Sequence, residues 1–143
     1  MFKRIFLDAN ILVDFVDNTR ASHILSKTII IDALEQNVHL FTSCDIVTTI
    51  YYLSAKINKE NALNEITKIN HFCTIIDFSN VEVAQTCELM TQNSAFTDLE
   101  DTIQYILAKK VSCDCIISND KKFYSPDIAL MSSALFCDTL SLL

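Results

Sequence analysis

Four acidic residues stand where an open α/β sheet would bring them together: Asp8, Asp98, Asp101 and Asp120. Asp8 directly follows the apolar run Ile5-Phe6-Leu7, and Asp120 comes two residues after Cys115-Ile116-Ile117-Ser118. Asp98 and Asp101 are three apart at the start of a helical pattern, so they share a helix face. Two strand ends and a helix start, all bearing carboxylates, are what a hard cation needs. Mg²⁺ or Mn²⁺ takes oxygen ligands and keeps several waters, so a few acids suffice. Ligands of such sheets bind outside the carboxyl ends of the strands. The expectation is that Asp8, Asp101 and Asp120 approach closely enough to share a cation, with Asp98 assisting.

Each acid also has a plainer role. Asp8 could cap the helix that follows it, although a carboxylate ending a buried strand is costly unless paired or metal-bound. Asp98, Glu100 and Asp101 lie in a first helical turn, where acids favour the macrodipole. Asp120 fits a turn at Asn119-Asp120. Asn10 is placed either to hydrogen-bond a site carboxylate or to fill the first turn of its helix, and Ser118 and Asn119 could orient water or phosphate. His23, His39 and His71 are scattered without metal-ligand spacing and read as surface or interface residues. Lys56, Lys59, Lys109-Lys110 and Lys121-Lys122 could contact phosphates or simply form a solvated face. Of Tyr51-Tyr52, one belongs to the core and the other could stack on a base.

The elements that must position these residues follow from apolar spacing. Residues 3–7 predict a buried strand, with a helix from Ala9 to about Val16. Ser22 caps a second helix to about Asn37, with Ile24, Leu25, Ile29, Ile31 and Leu34 facing inward. Val38 to Phe41 is a strand, and Thr42-Ser43-Cys44-Asp45 caps a helix to about Ile57, with Asp45 as its cap. A helix from about Lys59 to Asn70 carries Ala62, Leu63, Ile66 and Ile69 inward. Cys73 to Ile76 is a strand, followed by a helix from Ser79 or Asn80 to about Thr91. Thr97-Asp98-Leu99-Glu100 matches a capping box, with Glu100 as the partner of the cap. It opens a helix to about Lys110 with Leu99, Ile103, Ile106 and Leu107 inward. Cys113 to Ile117 and Ile128 to Met131 are the last strands, and a short helix follows Ser132 or Ser133. Strands alternating with helices predict one α/β domain over 1–143. It is a three-layer α/β/α sandwich around a mainly parallel sheet of four or five strands.

Composition removes several classes of function. The 143 residues include no Gly and one Pro, so no glycine-rich dinucleotide or nucleoside-triphosphate loop exists. A net charge of −7 weighs against an ordinary nucleic-acid binder, but bound divalent cations would reverse the field at a carboxylate site. The six cysteines form no CxxC pair. No signal peptide precedes the first strand, so the expectation is reduced cysteines in a cytoplasmic protein without a membrane segment.

Three segments together resemble one family. Leu7-Asp8-Ala9-Asn10-Ile11-Leu12 resembles the opening "hDxNhhh" of PIN domains (h is apolar). Thr97-Asp98-Leu99-Glu100-Asp101-Thr102-Ile103-Gln104 resembles their "DxEDAhQ" segment, and Ile116-Ile117-Ser118-Asn119-Asp120-Lys121-Lys122-Phe123 their "hhTxDxxF" segment. The three occur in the family's order across essentially the whole chain. The resemblance implies a metal-dependent nuclease acting on RNA, the toxin of a toxin–antitoxin pair, with an antitoxin protein as partner and a homodimer as its assembly. It implies catalytic roles for Asp8, Asp98, Asp101 and Asp120, with Asp8, Asp101 and Asp120 on Mg²⁺ or Mn²⁺.

The chain also departs from the pattern. Where the family carries an acid early in the helix after the second strand, this chain has Thr49, with Asp45 one turn earlier. Residues four apart share a face but stand about 6 Å apart along the axis. Asp45 therefore substitutes only if the helix shifts, and the expectation is a weakened site with Thr49 lining it. Lys122 stands where many members have a further Asp. Two rivals follow: a PIN fold acting as a protein- or RNA-binding module, and a phosphate-transferring α/β domain with Asp8 as nucleophile.

Overall fold

The apolar run before Asp8 forms strand β1 (Arg4–Leu7) in the middle of a five-stranded sheet, in a computed structural model that describes residues 1–141. The last two positions of the domain expected over 1–143 lie outside the described residues. The other strands are β2 (His39–Ser43), β3 (Cys73–Ile76), β4 (Cys115–Ile117) and β5 (Ala129–Met131). All pairings are parallel, in the order β3-β2-β1-β4-β5. Helices α1 (Ala9–Val16), α2 (His23–Glu35), α3 (Cys44–Ala55), α4 (Lys59–Phe72), α5 (Asn80–Gln92), α6 (Leu99–Lys110) and α7 (Ser133–Ser141) cover the sheet in three layers. A parallel sheet covered on both faces needs strands that are apolar throughout. Ile5, Phe6, Leu7, Leu40, Ile116 and Ile117 are accordingly buried. No helix among the described residues is long and apolar enough to cross a membrane.

The strand order creates a switch point. From β1 the chain winds outward through β2 and β3, then returns to lay β4 on the other side of β1. The register pairs Leu7 with Ile117, and the Asp8 N–H donates to the Ile117 carbonyl at 3.1 Å. The segments leaving β1 and β4 therefore part side by side, which is where ligands of open α/β sheets bind.

Without glycine, helix ends must turn on other residues. Asn37 (φ 56°) and Ser112 (φ 55°) adopt the left-handed conformation just past α2 and α6. At each, two hydrogen bonds close a Schellman motif: Val38 N–H to Ala33 and Asn37 N–H to Leu34, then Cys113 N–H to Ala108 and Ser112 N–H to Lys109.

Several expectations need correction. α2 turns Ser26, Ile29, Ile30 and Ala33 inward, while Ile24, Ile31 and Leu34 are exposed. Small Ser26 and Ala33 suit a close approach, and α2 packs against both α1 and α7. Leu63 and Leu99 are likewise exposed. Asp45 is not a cap: Ser43 holds that position and Asp45 lies in the first turn. Asp98, not Thr97, caps α6, its carboxylate accepting from the Asp101 N–H at 2.9 Å. With Asp98 as the cap, Asp101 rather than Glu100 takes the third helical position, so Glu100 is not a capping-box partner. The box forms instead on α5, between Ser79 and Glu82.

All six cysteines are free thiols. Burial pushes Cys73, Cys113 and Cys115 up to about 12, which makes them inert core residues.

Candidate active site

Asp8 caps α1 as the chain leaves β1, and its carboxylate is almost fully buried. Oδ1 accepts from the Ala9 N–H at 2.6 Å; Oδ2 accepts from Ser118 Oγ–H at 2.6 Å and Asn10 Nδ2 at 2.9 Å. Burial raises its proton affinity, the bonds from Ser118 and Ala9 oppose that, and the charge of Asp120 adds to it. Both the capping role and the site role thus fall on one carboxylate.

Asn10 and the loop after β4 build the rest of this edge. Asn10 Oδ1 accepts from the Asn119 N–H at 3.0 Å, tying α1 to that loop. Ser118 Oγ accepts from the Asp120 N–H at 3.1 Å while donating to Asp8. Asn119 Oδ1 accepts from the Ser133 N–H and hydroxyl, which anchors the loop to α7. Asp120 is exposed and accepts from the Lys122 N–H. Thr42, expected only as part of a capping stretch, is buried on β2, where it donates to the Leu7 carbonyl at 3.0 Å and fixes the end of β1.

α6 supplies the opposing acids. Asp101 Oδ2 is buried with no hydrogen-bond partner among the described residues. Burial, then the charges of Asp8, Asp98 and Asp120, push the Asp101 carboxyl up to about 7. Glu100 is also raised, by burial first and then by Asp45, Asp8 and Asp98. Glu100 is nevertheless exposed, and its Oε1 accepts from Gln104 Nε2 at 3.4 Å, so it stands at the rim of the acidic cluster.

Not every expected member arrives. Thr49 is exposed, and its hydroxyl turns onto the Asp45 carbonyl. Asp45 is half-buried, accepts from the Ser43 hydroxyl, and lies near enough to Glu100 to shift it. Among the described residues, no three His, Cys, Asp or Glu side chains converge tightly enough to hold a metal ion as they stand. Asp101 comes within reach of the Asp120 carboxyl, an approach that favours a proton on Asp101, and it feels the charges of Asp8 and Asp98, but these acids do not close into a cluster of three. Repulsion and local donors explain this, since Asp8, Asp98 and Asp120 are each turned onto nearby N–H or O–H groups.

Several of the remaining candidates are engaged elsewhere. Lys109 pairs with Asp127 and Lys110 with Glu82. His23 Nδ1 meets the Asp14 carbonyl, and His39 packs edge-on against Phe41. Tyr52 is the exposed member of its pair, under Lys56.

Residues 4–122 match the family model described as PIN domain. Ribonuclease VapC1 of Aquifex aeolicus (strain VF5) is 43% identical over 136 residues, covering 95% of this chain and 94% of that protein. Among solved structures, VapBC2 from Rickettsia felis bound to a DNA fragment from its promoter aligns with a TM-score of 0.68 at 20% identity. It covers 90% of this chain and 98% of that one. DNA-bound VapBC from Salmonella typhimurium gives 0.69 at 12% identity, covering 91% and 98%. At those identities the structural likeness speaks for the fold alone.

Proposed function

The chain belongs to the PIN domain family, and from that premise we propose that it is a VapC-like ribonuclease, the toxin of a toxin–antitoxin pair. It hydrolyses RNA phosphodiester bonds with a divalent cation and is restrained by an antitoxin protein. The observation that carries this reading is the partnerless buried oxygen of Asp101, facing the charges of Asp8, Asp98 and Asp120. A hard-oxygen set with an unmatched lone pair and mutual repulsion fits Mg²⁺ or Mn²⁺.

When bound, such an ion would supply Lewis-acid chemistry, polarising water and offsetting charge on the transferring phosphate. Asp8, Asp101 and Asp120 would hold it. Asp98 fixes the first turn of α6, and so the backbone of Asp101. Ser118 and Asn10 hold the Asp8 carboxylate in place and favour its charged form. Asn119 keeps the Asp120 loop against α1 and α7. No protein nucleophile is needed.

Asp8→Asn keeps the shape and removes the charge, so it should abolish cleavage of total bacterial RNA in Mg²⁺ or Mn²⁺ while leaving the fold intact. EDTA should silence the wild type. Cleavage by Asp8→Asn at the wild-type rate would reject the assignment.

The missing acid favours one second reading, a weakened site serving as a binding module, because the Thr49 hydroxyl faces a carbonyl rather than the acids. A Mn²⁺ titration separates the possibilities. If Asp45 serves as the substitute acid beside Glu100, Asp45→Ala weakens Mn²⁺ binding; if the acid is lost, Thr49→Glu strengthens it. A wild type that binds Mn²⁺ no better than Asp8→Asn would favour the binding module.

A further inference from the structure

We propose that Arg20 binds a backbone phosphate of the RNA strand beside the carboxylate cluster, through the edge of its guanidinium that the protein leaves open; this rests on the ribonuclease reading. The starting observation is Asp14, a carboxylate on the buried face of α1 with only 4% of its surface exposed. A buried charge needs a partner. Arg20, from the loop between α1 and α2, supplies one: its Nε–H donates to Asp14 Oδ1 at 2.5 Å. Asp14 Oδ2 accepts from Asn119 Nδ2 at 3.4 Å, and Asn119 is the residue before Asp120. Arg20 is therefore held, through two side chains, to the loop that carries a candidate metal ligand.

The loop itself is set. Asp17 Oδ1 accepts from both the N–H and hydroxyl of Thr19, and the Arg20 N–H donates to the Asp17 carbonyl. A guanidinium carries five N–H donors in a rigid plane. Asp14 uses the Nε–H, and the terminal N–H groups take no partner among the described residues. The side chain is 45% exposed. It lines an open cavity of about 640 Å³ together with Asn10, Asn119 and Asp120. In a chain of net charge −7, a fixed cation beside the acids offers a phosphate a site that the bulk surface does not. A planar fork can hold a carboxylate with one edge and a phosphate with another; a lysine ammonium is a single point charge.

That difference gives the test. Arg20→Lys keeps a cation for Asp14, so a purely structural ion pair survives, whereas simultaneous phosphate contact does not. Arg20→Gln removes both, and Lys3→Gln removes an exposed charge at the opposite end of the sheet. In an Asp8→Asn background, binding of a labelled mixed-sequence single-stranded RNA is measured by anisotropy across a salt series. Melting temperatures are followed in parallel. Arg20→Lys should retain the melting temperature yet bind about tenfold more weakly, the lower range for a hydrogen bond to a charged group. Its log Kd against log salt slope should flatten by about 0.7, one phosphate on a single strand. Lys3→Gln should match the parent. If the wild type cleaves RNA and Arg20→Lys matches the parent in affinity and slope, the Arg20 assignment is overturned alone. If the wild type neither binds nor cleaves RNA, the ribonuclease reading falls and this inference with it.

Discussion

Asp101 makes the acidic cluster visible to a stability measurement. Its carboxyl sits at about 7 in the folded protein, against about 3.9 in an unfolded chain. Between these values the folded state keeps a proton that the unfolded state has released, so raising the pH draws the equilibrium toward unfolding. The contribution of this group to stability therefore declines from about pH 4 to about pH 7 and levels off above. Asp8 and Glu100, raised for the same first reason of burial, act in the same direction. In EDTA, the urea midpoint of the wild type should fall more between pH 5 and pH 8 than that of Asp101→Asn. Equal pH dependence in the two proteins would show that Asp101 carries no such proton. Added Mn²⁺ should stabilise the wild type most at pH 8, where the competing proton has gone.

At the scale of elements, the two glycine-free helix ends should yield measurable stability. An L-residue in the left-handed region carries a cost of about 1–2 kcal/mol, least for Asn and Asp. Glycine removes that cost but gains entropy in the unfolded chain, which takes back about 0.4–1 kcal/mol. Ser112→Gly should therefore stabilise by up to about 1 kcal/mol, and Asn37→Gly by less. A Ser112→Gly urea midpoint below that of the wild type would contradict the assignment of the motif. The same elements show what the sequence reveals and what it conceals. β3 was legible to the residue: Cys73–Ile76 is a short stretch rich in apolar and β-branched residues, closed by Asp77, and it follows the helical spacing of α4. That Asp8, Asp101 and Asp120 stand at strand ends and a helix start was legible, because those positions hold whatever the packing; their expected convergence on one cation does not appear among the described residues. The inward face of α2 was not legible. His23–Glu35 spreads its apolar residues around the helix among Lys27, Thr28, Asp32 and Glu35, so its pattern names no single face, and the buried small residues Ser26 and Ala33 carry little hydrophobic signal. Asp14 and Arg20 were equally hidden, since their pairing depends on how a six-residue stretch, 17–22, folds back between α1 and α2.

At the scale of the molecule, the apolar half of the composition is not all absorbed by the core. Ile24, Tyr52, Ile57, Leu63 and Val81 each expose more than half of their surface. Scattered exposed apolar residues are ordinary, so the expected self-association is a matter for measurement. Light scattering at micromolar concentration should give a mass above the 16.2 kDa monomer. A monomer alone under those conditions would reject the homodimer and leave the antitoxin as the occupant to test.

The central position of β1 has a consequence for the order of events in a cell. The first strand to be synthesised is the middle of the sheet, and its partner β4 comes from far along the chain. Pairings over such distances form late in folding. While a ribosome is still translating, Asp8 has long emerged but the Ser118–Asp120 loop that completes its surroundings has not. A transcript broken before the codon for Cys115 encodes neither that loop nor the second edge of β1. The site is therefore incomplete until the Ser118–Asp120 loop has been made, and a fragment that stops before β4 should leave total RNA uncut under conditions where the whole chain cleaves it.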